Sequence, residues 1–343
     1  MKVDAGLTDK LLSVPERARE LESLGYDGAF TFEGPHDPFL PLLLAAEHSE
    51  RLFLSTAIAV AFARNPMTLA QTAYDLQIAS EGRFALGLGS QIRPHIEKRF
   101  SMPWSDPAAR MRELVLAIRA IWATWHEGAT LRFEGEFYRH TLMTPFFDPG
   151  PNPHGLPRLW LAGVGPAMTQ VAGEVGDGFL VHPFCTASFI EDVTLPALER
   201  GFAGAGRSRA GYEISFPVMA AVGETDEEIA AAAEGYKARL AFYGSTPAYK
   251  RVLDHHGWGD LQPELNRLSK EGRWPEMNEL IGDDLVAEFV VSGTPDEIGP
   301  KTVARYGHLV DRVSLNPPVG ADTDRWRGVL GGFADRARRS PNS

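Results

Sequence analysis

Residues 82–89 read GRFALGLG, a turn followed by a short apolar run that ends in glycine. The run does not alternate apolar with polar residues, so both of its faces are predicted to be buried, as in a parallel sheet. Seven further apolar runs lie near residues 2, 27, 54, 159, 179, 216 and 313, and helical segments separate them. Eight strand–helix units predict an α/β fold, the (β/α)8 TIM barrel. A doubly wound open sheet is the alternative, although no reversal of strand order can be placed.

The length of the chain fits one barrel domain over residues 1–343. A barrel of this type needs about 250 residues. The surplus falls in two predicted insertions, at about 90–156 and 241–300. The prolines crowded into 144–157 are interpreted as an ordered loop instead of a linker, because an apolar run follows directly.

The composition argues against several classes of protein. Hydrophobic residues make up 44% and charged residues 23%, which is typical of a folded globular chain. The net charge of -11 predicts no nucleic-acid partner. No apolar run reaches the roughly 18 residues of a membrane span, and no signal peptide opens the sequence. We therefore expect a cytoplasmic protein that acts on a small molecule and has no membrane partner, with Cys185 as an inert thiol.

Polar residues that follow the predicted strands are the candidates for a site, because barrel active sites lie at the carboxyl ends of strands. Glu33 directly follows an apolar strand, where a carboxylate is either a general acid/base or a loop cap. His36, His95 and His182 follow three different strands, as the ligands of a metallohydrolase would. The first strand carries no His-x-His pair, so no metal is expected.

The glycine-rich turn at residues 163–168 (GVGPAM) links a predicted strand to a helix. Backbone N–H groups at the start of a helix, together with the helix dipole, favour a phosphate. A plain tight turn is the alternative, since Met168 stands where the dinucleotide fingerprint needs a third glycine. Gly87 and Gly89 are likewise open to two interpretations, a ligand contact or close packing of backbone.

Four stretches of the chain resemble, in the same order, those of the luciferase-like monooxygenase superfamily, and in particular its coenzyme F420-dependent oxidoreductases. They are 24–33 (LGYDGAFTFE) with 37–39 (DPF), 55–58 (STAI) with 64–66 (RNP), 80–89 (SEGRFALGLG), and 161–163 (LAG) with 172–179 (AGEVGDGF). Residues 291–297 (VSGTPDE) resemble a late turn of the same family. The four stretches span most of residues 1–200.

The resemblance implies a barrel with insertions, often dimeric, that binds a deazaflavin or a flavin at its carboxyl face. It implies a non-proline cis peptide bond between Ala57 and Ile58. The backbone of Ala57, Ile58, Ala59 and Val60 would then meet the ring, and the ribityl phosphate would be held by Gly163, Val164, Gly165, Pro166, Ala167, Met168 and His182. The implied residues facing the ring and substrate are Glu33, His36, Gln91 and His95. Among these, Glu33 is the first acid/base candidate and His95 the second.

The loop after the second strand departs from the sugar-phosphate-oxidising relatives, in which an Asp-His or Glu-His pair follows that strand. Here Gly34 and Pro35 separate Glu33 from His36, and no Lys/Arg set for a sugar phosphate is evident. The resemblance implies hydride transfer between coenzyme F420 and an unidentified organic substrate, with a homodimer as the expected assembly. Two alternatives remain: an FMN-dependent monooxygenase that uses O2 and a partner reductase, and a flavin-binding protein without turnover.

Overall fold

The computed structural model describes residues 1–8, 10–316 and 323–334. The strands are β1 (Lys2–Gly6), β2 (Gly28–Thr31), β3 (Phe53–Thr56), β4 (Ala59–Val60), β5 (Phe84–Gly89), β6 (Phe133–Glu134), β7 (Arg139–His140), β8 (Arg158–Gly163), β9 (Gly178–Val181), β10 (Glu213–Pro217), β11 (Met219–Val222), β12 (Val290–Gly293) and β13 (Arg312–Ser314). The α-helices are α1 (Val14–Leu24), α2 (Leu40–Glu47), α3 (Pro66–Ala79), α4 (Pro107–Glu127), α5 (Pro166–Val175), α6 (Ala187–Phe189), α7 (Leu195–Gly204), α8 (Asp226–Glu234), α9 (Lys237–Gly244), α10 (Lys250–His255), α11 (Leu261–Glu271), α12 (Trp274–Glu279), α13 (Asp283–Phe289), α14 (Pro295–Tyr306) and α15 (Thr323–Ala334). Short 3-10 turns lie at Leu11–Ser13, Ala61–Ala63, Pro145–Phe147 and Pro247–Tyr249, and π-helical turns at His95–Arg99 and Ile190–Thr194.

Eight of the strands form the predicted (β/α)8 TIM barrel. Their order is β3-β2-β1-β13-β10-β9-β8-β5, and β5 pairs in turn with β3, which closes the sheet. The pairs β2–β3, β3–β5, β5–β8, β1–β13 and β10–β13 are parallel. These strands lie at the eight apolar runs of the sequence, so the strand prediction is confirmed.

The chain divides into two compact units, of which the larger comprises residues 5–180 and 197–213. Within it, every residue of β5 is buried. Helix α4 begins at the Asp106 N-cap and ends at Gly128, whose φ of +72° favours glycine. Its indole side chains are core residues, since Trp122 is 0% and Trp125 2% exposed. The Trp122 N–H donates to the carbonyl oxygen of Ala70 (3.1 Å).

The smaller unit comprises residues 1–4, 181–196 and those from 214 onward. In it β1 and β10 flank β13, and β11 pairs with β12 as a separate two-stranded parallel sheet. Arg312, 1% exposed, donates from Nε and Nη2 to the two carboxylate oxygens of Asp4 (2.8 and 2.6 Å). This two-point contact ties β1 to β13 at a fixed register.

Two predicted strands are each broken in the structure. The prediction over 52–60 splits into β3 and β4 at the cis peptide bond between Ala57 and Ile58. The prediction over 213–222 splits at Val218, after which β11 leaves the barrel and pairs with β12. The apolar composition continues through the first break, whereas Pro217 directly precedes the second and is a sequence signal for it.

The remaining differences lie in the C-terminal half. The helix predicted over 225–240 is two helices, α8 and α9, which meet near Gly235. Strand β12 lies within the predicted insertion 241–300 and was not predicted. The closing helix predicted over 323–338 is observed as α15, and residues 335–338 lie outside the described residues.

Candidate functional site

The backbone that follows β3 forms a bulge, residues 57–60, held by the end of β2. The peptide bond between Ala57 and Ile58 is cis, as the resemblance predicted. The N–H of Ala57 donates to the carbonyl oxygen of Thr31 (2.6 Å), and the N–H of Glu33 donates to that of Ile58 (3.0 Å). The bulge is therefore fixed at the carboxyl ends of two neighbouring barrel strands.

The carboxylate of Glu33 completes the support of the bulge. Its Oε2 accepts one hydrogen bond from the N–H of Val60 (2.7 Å) and one from the guanidinium of Arg64 (2.6 Å). The side chain is 5% exposed. Oε2 is the acceptor in both contacts, so in this arrangement Glu33 holds backbone in place. The acid/base role predicted for Glu33 stays a prediction.

Gly87 is the residue that allows β3 to lie so close to β5. A Cβ atom at this position would lie 1.8 Å from the carbonyl oxygen of Thr56 and 2.9 Å from Cδ1 of Leu180. The Thr56 hydroxyl bridges the same strands, since it donates to the Gly87 carbonyl (2.7 Å) and accepts from the Gly87 N–H (2.9 Å). A Cβ at Gly89 would lie 3.0 Å from the side chain of Ile58. The close-packing interpretation is therefore confirmed for Gly87.

Two predicted histidines lie on neighbouring exposed segments. His95 opens the π-helical turn His95–Arg99, and His36 lies in the loop after β2. Arg99 donates to the carbonyl oxygen of Gly34, which joins the turn to that loop. Gln91 begins the segment in a left-handed conformation (φ +58°), which non-glycine residues adopt chiefly at functional sites or turns. Both imidazoles are exposed to solvent.

The turn between β8 and α5 leads into a helix N-terminus that has no side-chain cap. Gly165 is the N-cap and provides no side-chain acceptor, and Pro166 is the first helical residue. The N–H groups of Ala167 and Met168 therefore have no partner within the helix. A Cβ at Gly163 would lie 2.8 Å from Cγ of Met168, so the close turn requires glycine. These features fit a phosphate group.

His182 follows β9 in the smaller unit. Its imidazole packs against Tyr249 and Tyr243, with ring centroids 4.3 and 5.1 Å away. Burial lowers the pKa of His182 to about 4, so the ring is neutral near pH 7. Because Nδ1 accepts the N–H of Phe184 (3.1 Å), the remaining proton lies on Nε2, which is a hydrogen-bond donor. The predicted phosphate-binding role of His182 stays a prediction.

Three partners of these residues were not predicted from the sequence. Arg64 follows the third predicted strand and belongs to the 64–66 motif, but its pairing with Glu33 was not predicted. Tyr243 and Tyr249 come from the predicted insertion, and their contact with His182 joins residues more than 60 positions apart. For the contact between Arg64 and Glu33 the sequence did carry a signal, since an acidic and a basic residue follow neighbouring strands. The tyrosines carried no comparable signal.

The remaining chemistry of the described residues is limited. Burial raises the pKa of the Cys185 thiol to about 12, which agrees with an inert side chain. Over residues 1–8, 10–316 and 323–334, no group of three or more His, Cys, Asp or Glu is arranged to hold a metal ion. Within these same ranges, none of the helices has both the length and the apolar character needed to cross a membrane.

Comparison with known proteins gives the family and two relatives. The model of the luciferase-like monooxygenase family matches residues 3–312. A protein of Mycobacterium tuberculosis H37Rv, itself uncharacterised, is 54% identical over 313 residues, which are 91% of this chain and 92% of that protein. A 5,10-methylenetetrahydromethanopterin reductase of Archaeoglobus fulgidus is 28% identical over 262 residues, covering 74% and 73% of the two chains.

A solved structure shows the same fold. The coenzyme F420 dependent tetrahydromethanopterin reductase from Methanopyrus kandleri is similar to this chain with a TM-score of 0.77, at 21% identity and with 96% of both chains covered. The family match extends over most of the chain, from β1 to the first residue of β13. The chain belongs to the luciferase-like monooxygenase family.

Proposed function

We propose that this protein is a coenzyme F420-dependent oxidoreductase that transfers a hydride between the deazaflavin and a small organic substrate. The observation that carries the proposal is the bulge at 57–60, fixed to the end of β2 through Thr31 and Glu33. A backbone held so firmly at the carboxyl ends of barrel strands is suited to support a planar ring. The F420 dependence of the Methanopyrus kandleri reductase, which has the same fold, supports this choice of cofactor.

The larger unit contains groups that fit both ends of such a cofactor. The backbone of residues 57–60 would lie beside the ring. The N–H groups of Ala167 and Met168 would hold the ribityl phosphate, because the glycine turn leaves them without an acceptor and adds the positive end of the helix dipole. When bound, the deazaflavin supplies two-electron hydride chemistry.

The protein supplies orientation and a proton. Glu33 holds the Val60 N–H, since its Oε2 accepts two hydrogen bonds, one of them from a guanidinium. The exposed imidazole of His95 is then the first candidate to hold or release the substrate proton, and His36 is the second. In this proposal Glu33 holds the backbone beside the ring, and His95 or His36 holds or releases the substrate proton.

The match to the luciferase-like monooxygenase family favours a second candidate, an FMN-dependent monooxygenase with O2 as co-substrate and a partner reductase. The open helix N-terminus at α5 would serve either cofactor, because both carry a phosphate on a ribityl chain. Titration of the purified protein with coenzyme F420 and, separately, with FMN distinguishes the two through quenching of its seven tryptophans. Tighter binding of F420 supports the proposal, whereas tighter binding of FMN favours the monooxygenase.

A matched pair of variants tests the phosphate site itself. Ala167 is exposed in the first turn of α5, where a carboxylate is compatible with the helix. Ala167→Asp should weaken binding of the preferred cofactor at least tenfold by repelling the phosphate, while Ala167→Asn, of the same shape without the charge, should stay within about threefold. Equal affinity for both variants would contradict this phosphate site. Binding of neither cofactor by the wild type would contradict the proposed function as a whole.

Turnover separates an enzyme from a binding protein. The protein loaded with reduced F420 is mixed with a panel of carbonyl, imine and activated alkene compounds, and the loaded protein without a substrate serves as the control. Oxidation of the cofactor that depends on one class of compound supports the hydride-transfer proposal. Tight binding without oxidation by any class would favour a carrier of the cofactor.

A further inference from the structure

Arg64 belongs to a motif whose other two residues have a structural explanation. Asn65 is the N-cap of α3, where its Oδ1 accepts the N–H of Thr68 (3.0 Å), and Pro66 is the first residue of the helix. Arg64 lies before the helix in an extended conformation. Formation of α3 therefore does not require a guanidinium at this position.

The guanidinium of Arg64 contacts the bulge and the loop after β2 at once. Its Nη1 donates to Oε2 of Glu33 (2.6 Å) and to the carbonyl oxygen of Val60 (3.2 Å), and its Nη2 lies 3.5 Å from Oδ2 of Asp37. Its central carbon lies 5.2 Å from the centroid of the Phe39 ring. The four contacts join two loops that come from different strands.

The burial of Glu33 makes its position depend on Arg64. A carboxylate that is 5% exposed has lost most of its hydration, and a guanidinium partner with a short charge-assisted hydrogen bond compensates for that loss. Without the guanidinium, the carboxylate gains by turning toward water, and that movement releases the N–H of Val60. The shape of residues 57–60 would change with it.

We infer that Arg64 is a positioning residue for the cofactor site, and that it acts through Glu33 to hold the bulge in place. Its effect on cofactor affinity rests on the proposed function, whereas its effect on the backbone of Val60 does not. Two measurements therefore separate a failure of this inference from a failure of the proposed function.

The first measurement is amide hydrogen exchange in the protein without added cofactor. In Arg64→Met, the segment that contains Val60 should exchange at least tenfold faster than in the wild type. Arg17→Met is the matched control, because the Arg17 side chain is also 21% exposed and pairs with Glu20 on the surface of α1. Unchanged exchange around Val60 in Arg64→Met would overturn the inference, even if the wild type binds neither cofactor.

The second measurement is affinity for coenzyme F420, or for FMN if the wild type prefers it. Arg64→Met should weaken binding at least tenfold in the wild-type background. In a Glu33→Gln background the loss should be less than threefold, because Arg64 acts on the bulge through the Glu33 carboxylate, which this background lacks. An equal loss in both backgrounds would overturn the inference, since Arg64 would then act on the ligand without Glu33. If Arg64→Met does not fold, Arg64→Lys replaces it, with about a threefold loss of affinity and faster exchange at Val60 expected. If Arg64→Lys had the wild-type cofactor affinity and the wild-type exchange rate at Val60, the inference would be overturned.

Discussion

Replacement of Gly87 by alanine should destabilise the protein by about 3–5 kcal/mol. The added Cβ would lie 1.8 Å from the carbonyl oxygen of Thr56, whereas Cβ contacts below 3.0 Å essentially do not occur. Because that oxygen is part of the backbone, β3 and β5 must separate by about 1 Å to make room. Overpacking costs about 1–3 kcal/mol, and the two hydrogen bonds between Gly87 and the Thr56 hydroxyl contribute about 1 kcal/mol each.

The assay is urea-induced unfolding followed by circular dichroism and tryptophan fluorescence. Gly204→Ala is the control, since no atom lies within 4 Å of where its Cβ would be, and its free energy of unfolding should stay within about 1 kcal/mol of the wild-type value. Thr56 directly precedes the bulge, so Gly87→Ala should also weaken cofactor binding in any fraction that folds. A Gly87→Ala protein within about 1 kcal/mol of the wild type would refute the reasoning from close backbone contact.

Three further outcomes follow from buried groups. Asp4→Asn should lower the free energy of unfolding by about 3–5 kcal/mol, because it removes the carboxylate that pairs with the buried Arg312 guanidinium. Glu20→Gln breaks an exposed pair and should lower it by less than about 1 kcal/mol. Urea unfolding measures both values, and similar losses in the two variants would contradict the prediction for Asp4. His182 has a pKa of about 4 when folded against about 6.5 when unfolded, so the unfolded chain takes up the proton first, and stability falls as the pH drops through this window. Protonation of this residue should lower the free energy of unfolding by about 2 kcal/mol at about pH 5, and this contribution should be absent in His182→Gln. Urea unfolding of both proteins at about pH 7 and about pH 5 measures the difference. Cys185, with its pKa raised to about 12, should resist a thiol reagent at about pH 8 until the protein is unfolded, and rapid labelling of the folded protein would contradict its burial.

The barrel could be predicted because each of its strands carries a local signal. A parallel strand buried on both faces needs apolar residues at every position, and β5, in which all six residues are buried, shows this without interruption. The break at Ala57 could not be predicted from the residues, because the apolar residues continue through it, whereas the break at Val218 follows Pro217, which cannot donate to a strand ladder. The cis bond was available only from the resemblance to a family.

The candidate site could be predicted less fully than the fold. The rule that active sites lie at the carboxyl ends of strands located Glu33 and His95 in the segments that follow barrel strands. Their roles depend on which donor reaches which acceptor, and the two bonds to Glu33 Oε2 join residues 27 and 31 positions apart. Side-chain contacts over such separations follow from the packing of two loops, which neither composition nor spacing encodes.

The loop after β2 contacts both the bulge at 57–60 and the turn that begins with His95. The sequence pattern suggested two alternative roles for Glu33, a general acid/base and a loop cap. Through its carboxylate and its N–H, Glu33 holds the bulge that would support the ring. The next residue, Gly34, accepts a hydrogen bond from Arg99 at the end of the turn that begins with His95. The bulge and the turn that carries the exposed His95 imidazole are therefore both held by consecutive residues of one loop. Because Oε2 of Glu33 accepts from both Val60 and Arg64, our proposal assigns support of the ring to Glu33 and the substrate proton to His95.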